Sequence, residues 1–236
     1  MDAPPERHLD TLLDVVEWGR VPYREAMRRQ RERWEAVLAE RAAPALFLLE
    51  HDPVITLGRR AGDDHLRLGR AQLAAQGIEV IETDRGGEAT YHGPGQLTLY
   101  AVLPVQRMKL GAADLVRLLA AAIGSTLREL GIHAPYDPDR PGLWVGEPER
   151  RKICAVGMRI QRGVSLHGAA VNVSTRLEAF SLFVPCGMPD ASATSILAET
   201  GSAPDPAALG RTIAERFAAG AGLSLRTETG SAPPAR

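Results

Sequence analysis

The sequence predicts an α+β fold, a mixed β-sheet flanked by helices. Three observations carry that expectation. Two long segments, Pro22 to Arg41 and Ala112 to Leu130, repeat apolar residues at helical spacing. Between Trp144 and Val173, strand-like runs follow one another and suit neighbouring positions in one sheet. Helices and strands also lack the regular βαβ alternation of a doubly wound fold.

The elements follow in order. The first ten residues read as a frayed end. In the segment Pro22 to Arg41, Tyr23, Met27, Trp34 and Leu38 share one helical face, and Pro22 suits a helix start. The rest of that helix is dense in Arg and Glu. Arg28, Arg29, Arg31 and Arg33 form either a solvated, Glu-paired face, which is the preferred reading, or a surface for an acidic partner. Ala45 to Leu49 and Val54 to Leu57 are two strands around the turn Glu50-His51-Asp52-Pro53. A short helix ends within Gln72 to Gln76, and Gly77 leads into a strand over Ile78 to Glu82. Leu97 to Leu103 is a further strand, closed by Pro104. In the second long helix, Leu115, Leu119, Ile123 and Leu127 belong to a broad apolar face, and Gly131 stops it. Ala134 to Gly142 is a Pro/Asp-rich loop. Trp144, Ile153 to Ile160 and Val164 to Val173 are strands, the last two joined by the turn Gln161-Arg162-Gly163. Ile213 to Ala218 lies in a closing helix, and a frayed tail follows. One domain over residues 10–225 accommodates all of this, with 1–9 and 226–236 as flexible termini.

The 236 residues are 44% hydrophobic and 24% charged, ordinary for a soluble globular enzyme. A formal net charge of −1 supplies no global basic field, which argues against a nucleic-acid partner. The two cysteines are too few for a disulfide framework and show no metal-ligand spacing. No stretch approaches the roughly 20 apolar residues that span a bilayer, so no membrane partner is expected. The N-terminus has no apolar signal core, and a reducing cytoplasm fits this usage.

Several segments carry chemistry. Arg85 to Gln96 reads RGGEATYHGPGQ, a glycine-rich run after one strand and before another. Its glycines let backbone approach a ligand and present N–H groups to it. Such a run is either a hairpin or a cradle; Arg85, a fixed cation, and His92, a donor able to titrate, favour the cradle. In Ser165 to Val173, Gly168, Ala169 and Ala170 either leave room for an extended group or let another element cross closely. His167 beside them reads as a hydrogen-bonded core histidine. Cys154, within an apolar run, reads as a small buried hydrophobe. Cys186 stands between Pro185 and Gly187, where a turn can expose its sulfur. A thiol with the usual pKa of about 8.5 needs a nearby base or cation to react at neutral pH. Lys152, at the mouth of an apolar strand, is the candidate.

Taken together these segments resemble the octanoyltransferases of lipoate biosynthesis, the octanoyl-[acyl carrier protein]–protein N-octanoyltransferase family. The matching stretches are RGGEATYHGPGQ, RPGLWV at Arg140 to Val145, KICAVGMRI at Lys152 to Ile160, HGAAVNV at His167 to Val173, PCGMPD around Cys186 and TSI at Thr194 to Ile196. LEHDPVITLGRR, Leu49 to Arg60, joins them, and the likeness runs in order from Leu12 to Phe217. It implies the catalytic-domain fold shared by biotin and lipoate protein ligases, and a reaction without a cofactor. Octanoyl-acyl carrier protein is the implied donor. Lipoyl domains of 2-oxoacid dehydrogenase E2 subunits and the glycine cleavage H protein are the implied acceptors. The resemblance makes Cys186 the nucleophile, and Lys152 its activator and general acid/base. It places Arg85, Gly86, Gly87, Glu88, Ala89, Thr90, Tyr91 and His92 around the acyl chain, together with Ala155, Val156, Gly157, Gly168, Ala169 and Ala170. Cys154 falls where the family commonly has a small residue.

Overall fold

The computed structural model describes residues 11–184 and 192–228. The first half contains β1 (Leu12–Val21), α1 (Tyr23–Leu38), β2 (Ala45–His51), β3 (Val54–Leu57), α2 (Arg70–Ala75), β4 (Glu79–Glu82), β5 (Ala89–His92) and β6 (Gln96–Val102). The second contains α3 (Ala112–Glu129), β7 (Tyr136–Asp137), β8 (Gly142–Val145), β9 (Arg151–Gln161), β10 (Val164–Asn172), β11 (Ser192–Ala193), α4 (Ile196–Thr200), α5 (Pro206–Ala221) and β12 (Ser224–Glu228).

The main sheet has the order β12-β1-β2-β6-β10-β9-β8-β7, with β11 added beside β9. β12, β1 and β2 run parallel, and the path from β2 to β7 is antiparallel, so the sheet is mixed as the sequence predicts. The turn between β9 and β10 has left-handed backbone at Arg162 and Gly163, the geometry of a tight hairpin. β1 is an element that the sequence pattern leaves unassigned. Leu13, Asp14, Val15 and Val16 are all buried, so no polar alternation announces a strand covered on both faces. Buried Asp14 is held by Arg33 at 2.9 Å and by Arg226 of β12 at 2.7 Å. That pairing carries the sheet to Glu228, past the domain end expected at 225. The loop expected over Ala134 to Gly142 likewise contains the two-residue strand β7.

β2 and β3 do not pair with each other. β3 belongs to a separate sheet, β4-β3-β5, in which β5 is formed by the middle of the glycine-rich segment. α3 and α5 close one face of the main sheet with Leu13, Leu46, Leu97, Leu99, Leu119 and Phe217. On the other face α1 packs Ala26, Trp34 and Val37 against Phe47, Val102 and Leu166. The three-stranded sheet covers the remainder of that face with its own core of Ile55, Leu57, Leu73 and Phe183. Of the α1 arginines, Arg28 and Arg29 follow the Glu-paired reading by binding Glu25, whereas Arg31 binds Asp84 and Arg33 turns inward to buried Asp14. Among the described residues no helix is long and apolar enough to cross a membrane.

Candidate active site

Strand register places the small residues. Gly168 lies opposite Tyr100 of β6 and Gly157 of β9, and Ala170 lies opposite Thr98 and Ala155. Alternation directs this patch to the face shared with the three-stranded sheet. Val156, Ala169 and Val171 belong to the core beneath α3 and α5. Since Gly and Ala fill so little of the interval between the sheets, a cavity of about 690 Å³ remains. Ligand sites fall in the range of roughly 300–1,000 Å³.

The glycine-rich segment forms one wall. Gly58 N–H donates to the Glu88 carbonyl at 3.0 Å, Arg59 N–H to Arg85 at 3.2 Å, and Arg60 N–H to Gly87 at 3.3 Å. A Cβ on Gly58 would sit 2.5 Å from the Gly87 oxygen, so glycine is required at this crossing. Gly86 and Gly157 meet in the same way, each Cβ position lying 3.0 Å from backbone oxygen across the gap. The Arg85 guanidinium donates to Thr56 Oγ1 at 3.0 Å, to the Thr56 carbonyl at 2.6 Å and to the Gly86 carbonyl at 3.0 Å. It fastens the loop to β3 as well as lining the cavity.

Arg85, Gly86, Gly87, Glu88, Ala89, Thr90 and His92 all line the cavity, with Lys152, Ala155, Val156, Gly157, Gly168, Ala169 and Ala170. Tyr91 does not. β5 alternation turns its ring away, against Phe180 at 5.8 Å between centroids and beside Gly93, so the expectation for Tyr91 is corrected to a core role.

His92 heads a chain of side-chain hydrogen bonds. Gln96 Nε2 donates to the Tyr91 carbonyl at 3.0 Å and to Asn172 Oδ1 at 2.9 Å. Its Oε1 must therefore accept, and His92 Nδ1 is the protonated nitrogen at 2.7 Å. Asn172 Nδ2 donates in turn to the Thr194 carbonyl at 2.9 Å, and lies 3.5 Å from the Lys152 carbonyl. The chain thus ties the glycine-rich segment to the backbone that carries Lys152. Burial, then the neighbouring His51 and Arg85, push the His92 pKa well below its ordinary value. His92 is a fixed neutral donor here, where the sequence suggested a titrating one. His51, which sequence reasoning left without a role, packs behind the cavity wall against His92 and Tyr100. Its Nδ1–H donates to the Val21 carbonyl at 2.9 Å, Tyr100 donates to its Nε2 at 2.6 Å, and burial lowers its pKa to about 4. His167 is buried, as read, and bonds Asp84 through Nε2 at 2.7 Å. That bond, with Arg159 and Arg31 nearby, holds the Asp84 carboxyl well below the usual range.

Lys152 lies on a bed made by RPGLWV. Its Nζ is 4.6 Å from the Trp144 ring centroid and 3.5 Å from the Pro141 carbonyl. Gly142 has φ 155°, and a Cβ there would lie 3.1 Å from Lys152 Cε and 2.5 Å from the Cys154 carbonyl. Glycine at 142 is what lets the lysine stem pass. Cys154 is fully buried and burial pushes its thiol up to about 12, so it stays protonated and unreactive. Cys186 lies outside the described residues. The described chain stops at Val184, whose N–H meets the His65 carbonyl at 2.8 Å. It resumes at β11, where Ser192 and Ala193 pair with Arg151 and Lys152. Tyr23, Thr98, Tyr100 and Trp144 line the cavity too, as do Leu115 and Val116 of α3. The apolar pattern had absorbed Tyr23 into a helix face, but the alternation of Thr98 and Tyr100 with Leu97 and Leu99 was a usable signal.

Residues 22–218 match the family described as the lipoyl protein ligase A/B catalytic domain. The octanoyltransferase of Nitratidesulfovibrio vulgaris (strain DSM 19637 / Miyazaki F) is 42% identical over 189 residues, covering 80% of this chain and 85% of that protein. The octanoyltransferase of Acidobacterium capsulatum is 38% identical over 78% of this chain and 79% of its own length. The fold also resembles a chain in a solved archaeal lipoylation system, a bi-partite lipoate protein ligase and its E2 lipoyl domain from Thermoplasma acidophilum. That likeness has a TM-score of 0.69 at 19% identity, covering 95% of this chain and 88% of the other.

Proposed function

This chain belongs to the lipoyl protein ligase A/B catalytic-domain family, and within it to the octanoyltransferases of lipoate biosynthesis, and on that premise we propose that Cys186 and Lys152 carry a two-step octanoyl transfer. The observation that best supports this reading is the cavity. It unites Lys152 with the glycine-rich wall and the Gly/Ala patch, a narrow apolar bed for an alkyl chain.

In the first step the Cys186 thiolate attacks the thioester carbonyl of octanoyl-acyl carrier protein. A new C–S bond forms, the old one breaks, and the carrier leaves as a thiol on taking from Lys152 the proton that Lys152 had drawn from Cys186. In the second, the ε-amine of a lysine on an apo lipoyl domain attacks the octanoyl-cysteine carbonyl. A C–N bond forms, Cys186 departs, and the proton shed by the amine passes to Lys152. E2 lipoyl domains and the glycine cleavage H protein are the proposed acceptors, and the cytoplasm the proposed setting. Thioester exchange is near balance and amide formation favourable, so no nucleotide is needed. The oxyanion of each tetrahedral intermediate needs donors, each worth ~3 kcal/mol of barrier. Backbone N–H groups of the glycine-rich segment fill that role, and His92 steadies them through Gln96.

Intact-mass measurement after mixing with octanoyl-acyl carrier protein tests the scheme. The expected result is a hydroxylamine-labile octanoyl adduct, absent in Cys186→Ala and formed without ATP. Octanoylation of the acceptor that requires ATP, with no adduct on the protein, would replace this scheme with an acyl-adenylate ligase on the same fold.

A further inference from the structure

Around the cavity the described residues place six cationic side chains, Arg59, Arg60, Arg85, Arg140, Lys152 and Arg159, against two carboxylates, Glu88 and Asp139. Most of the cations are committed. Arg85 is fastened to Thr56, Arg159 to Asp84, and Arg140 to Asp137 at 3.3 Å while its guanidinium covers Trp144. Arg60 stands 3.7 Å from Glu88, beyond hydrogen-bond reach. The Arg59 side chain is exposed and has no hydrogen bond or ion pair among the described residues. The backbone beneath it is fixed: residues 58 to 60 form three hydrogen bonds with the glycine-rich segment, and Gly58 admits no other residue. A guanidinium with no partner among the described residues, on a rigid support at the cavity wall, is organised to meet an anion from outside.

We propose that Arg59, assisted by Arg60, recognises the phosphate of a phosphopantetheine arm that delivers the acyl thioester to the cavity. The assignment rests on the octanoyl-transfer reading and names which part of the donor the protein holds. Sign decides between the two substrates. The acceptor brings an ammonium towards a cationic rim, whereas the donor brings a phosphodiester at the far end of the arm whose thioester must reach the cavity. The arginines of α1 are all engaged by carboxylates of this chain, which moves anion recognition from that helix to the cavity mouth.

Two probes identical except for phosphate test this on the full chain: pantetheine and 4′-phosphopantetheine, free and as octanoyl thioesters. Calorimetry on the free compounds is expected to show about tenfold tighter binding of the phosphorylated one. That preference collapses towards one in Arg59→Ala and is partly kept in Arg59→Lys. With the thioesters, the same ratio appears in KM and shrinks as salt rises, while kcat is unaffected by the phosphate. Equal binding of both probes by the native protein, or a preference that survives Arg59→Ala, would overturn the proposal. So would an Arg59 effect seen with the whole carrier protein and absent with 4′-phosphopantetheine, which would assign Arg59 to the carrier's surface. Phosphate-dependent binding without octanoylation of Cys186 would instead sink the transfer reading and leave the phosphate contact standing.

Discussion

On one face of β6, β10 and β9, Leu97, Leu99, Val171 and Val156 join α3 and α5 in the main hydrophobic core. On the other face of the same strands, Ala170, Gly168, Ala155 and Gly157 leave about 690 Å³ open under the three-stranded sheet. The two sides share the same strands and register but differ in side-chain volume, and Ala155 and Gly157 on the cavity side are only partly buried. Stability therefore belongs chiefly to the helix side and substrate capacity to the other, with the three-stranded sheet acting as a roof held off by absent side chains.

The separation is open to test from either side. Ala170→Leu puts a branched side chain into the cavity opposite Thr98 and Ala155, and is expected to lower kcat/KM for octanoyl transfer by about a hundredfold, because misplacement of ~1 Å has that effect. Its melting temperature should stay close to that of the native protein. Val171→Ala, one residue along and fully buried on the helix side, should cost about 2 kcal/mol in urea melts and leave transfer by the folded protein unchanged. If either substitution produces the other's signature, the two faces are not separable.

The buried histidines on the cavity side give that side a pH dependence of its own. His51 titrates near 6.5 when unfolded and at about 4 when folded, so the unfolded chain takes the proton first. Its contribution is complete above pH 6.5 and is lost as pH falls towards 4, with a slope of up to ~1.4 kcal/mol per pH unit. Urea melts across that window should be steeper in pH for the native protein than for His51→Gln. The smallest effect is expected from Cys154→Ala, since that thiol is buried on the helix side and held protonated. Turnover should stay within about twofold, where a catalytic thiol would abolish it.

Much of this division was legible in the sequence, and the limits are physical. The triplet Gly168, Ala169 and Ala170 marked either a place with room or a close crossing, and a triplet cannot show that Ala169 borders the helix-side core as well as the cavity. Pairing with Ala155 and Gly157, four residues of low volume across two strands, is a property of register. Tyr91 was misplaced for the same reason: within β5 one step reverses the face. Lys152 stood out as a lysine entering an apolar strand, but its bed of Pro141, Gly142 and Trp144 requires the β8–β9 pairing to be seen. β1 stayed hidden because burial on both faces erases the alternation that signals a strand. Arg59 was visible within LGRR, and only the pairing of every arginine on α1 gave it significance.

The most direct measurement is a crystal structure of the protein after reaction with octanoyl-acyl carrier protein. The account predicts continuous density from Cys186 Sγ into an eight-carbon chain lying over Gly168 and Ala170, with Lys152 Nζ within hydrogen-bond reach of the sulfur. Density for the acyl group on another residue, or a chain lying outside the Gly/Ala patch with Lys152 far from Cys186, would contradict it.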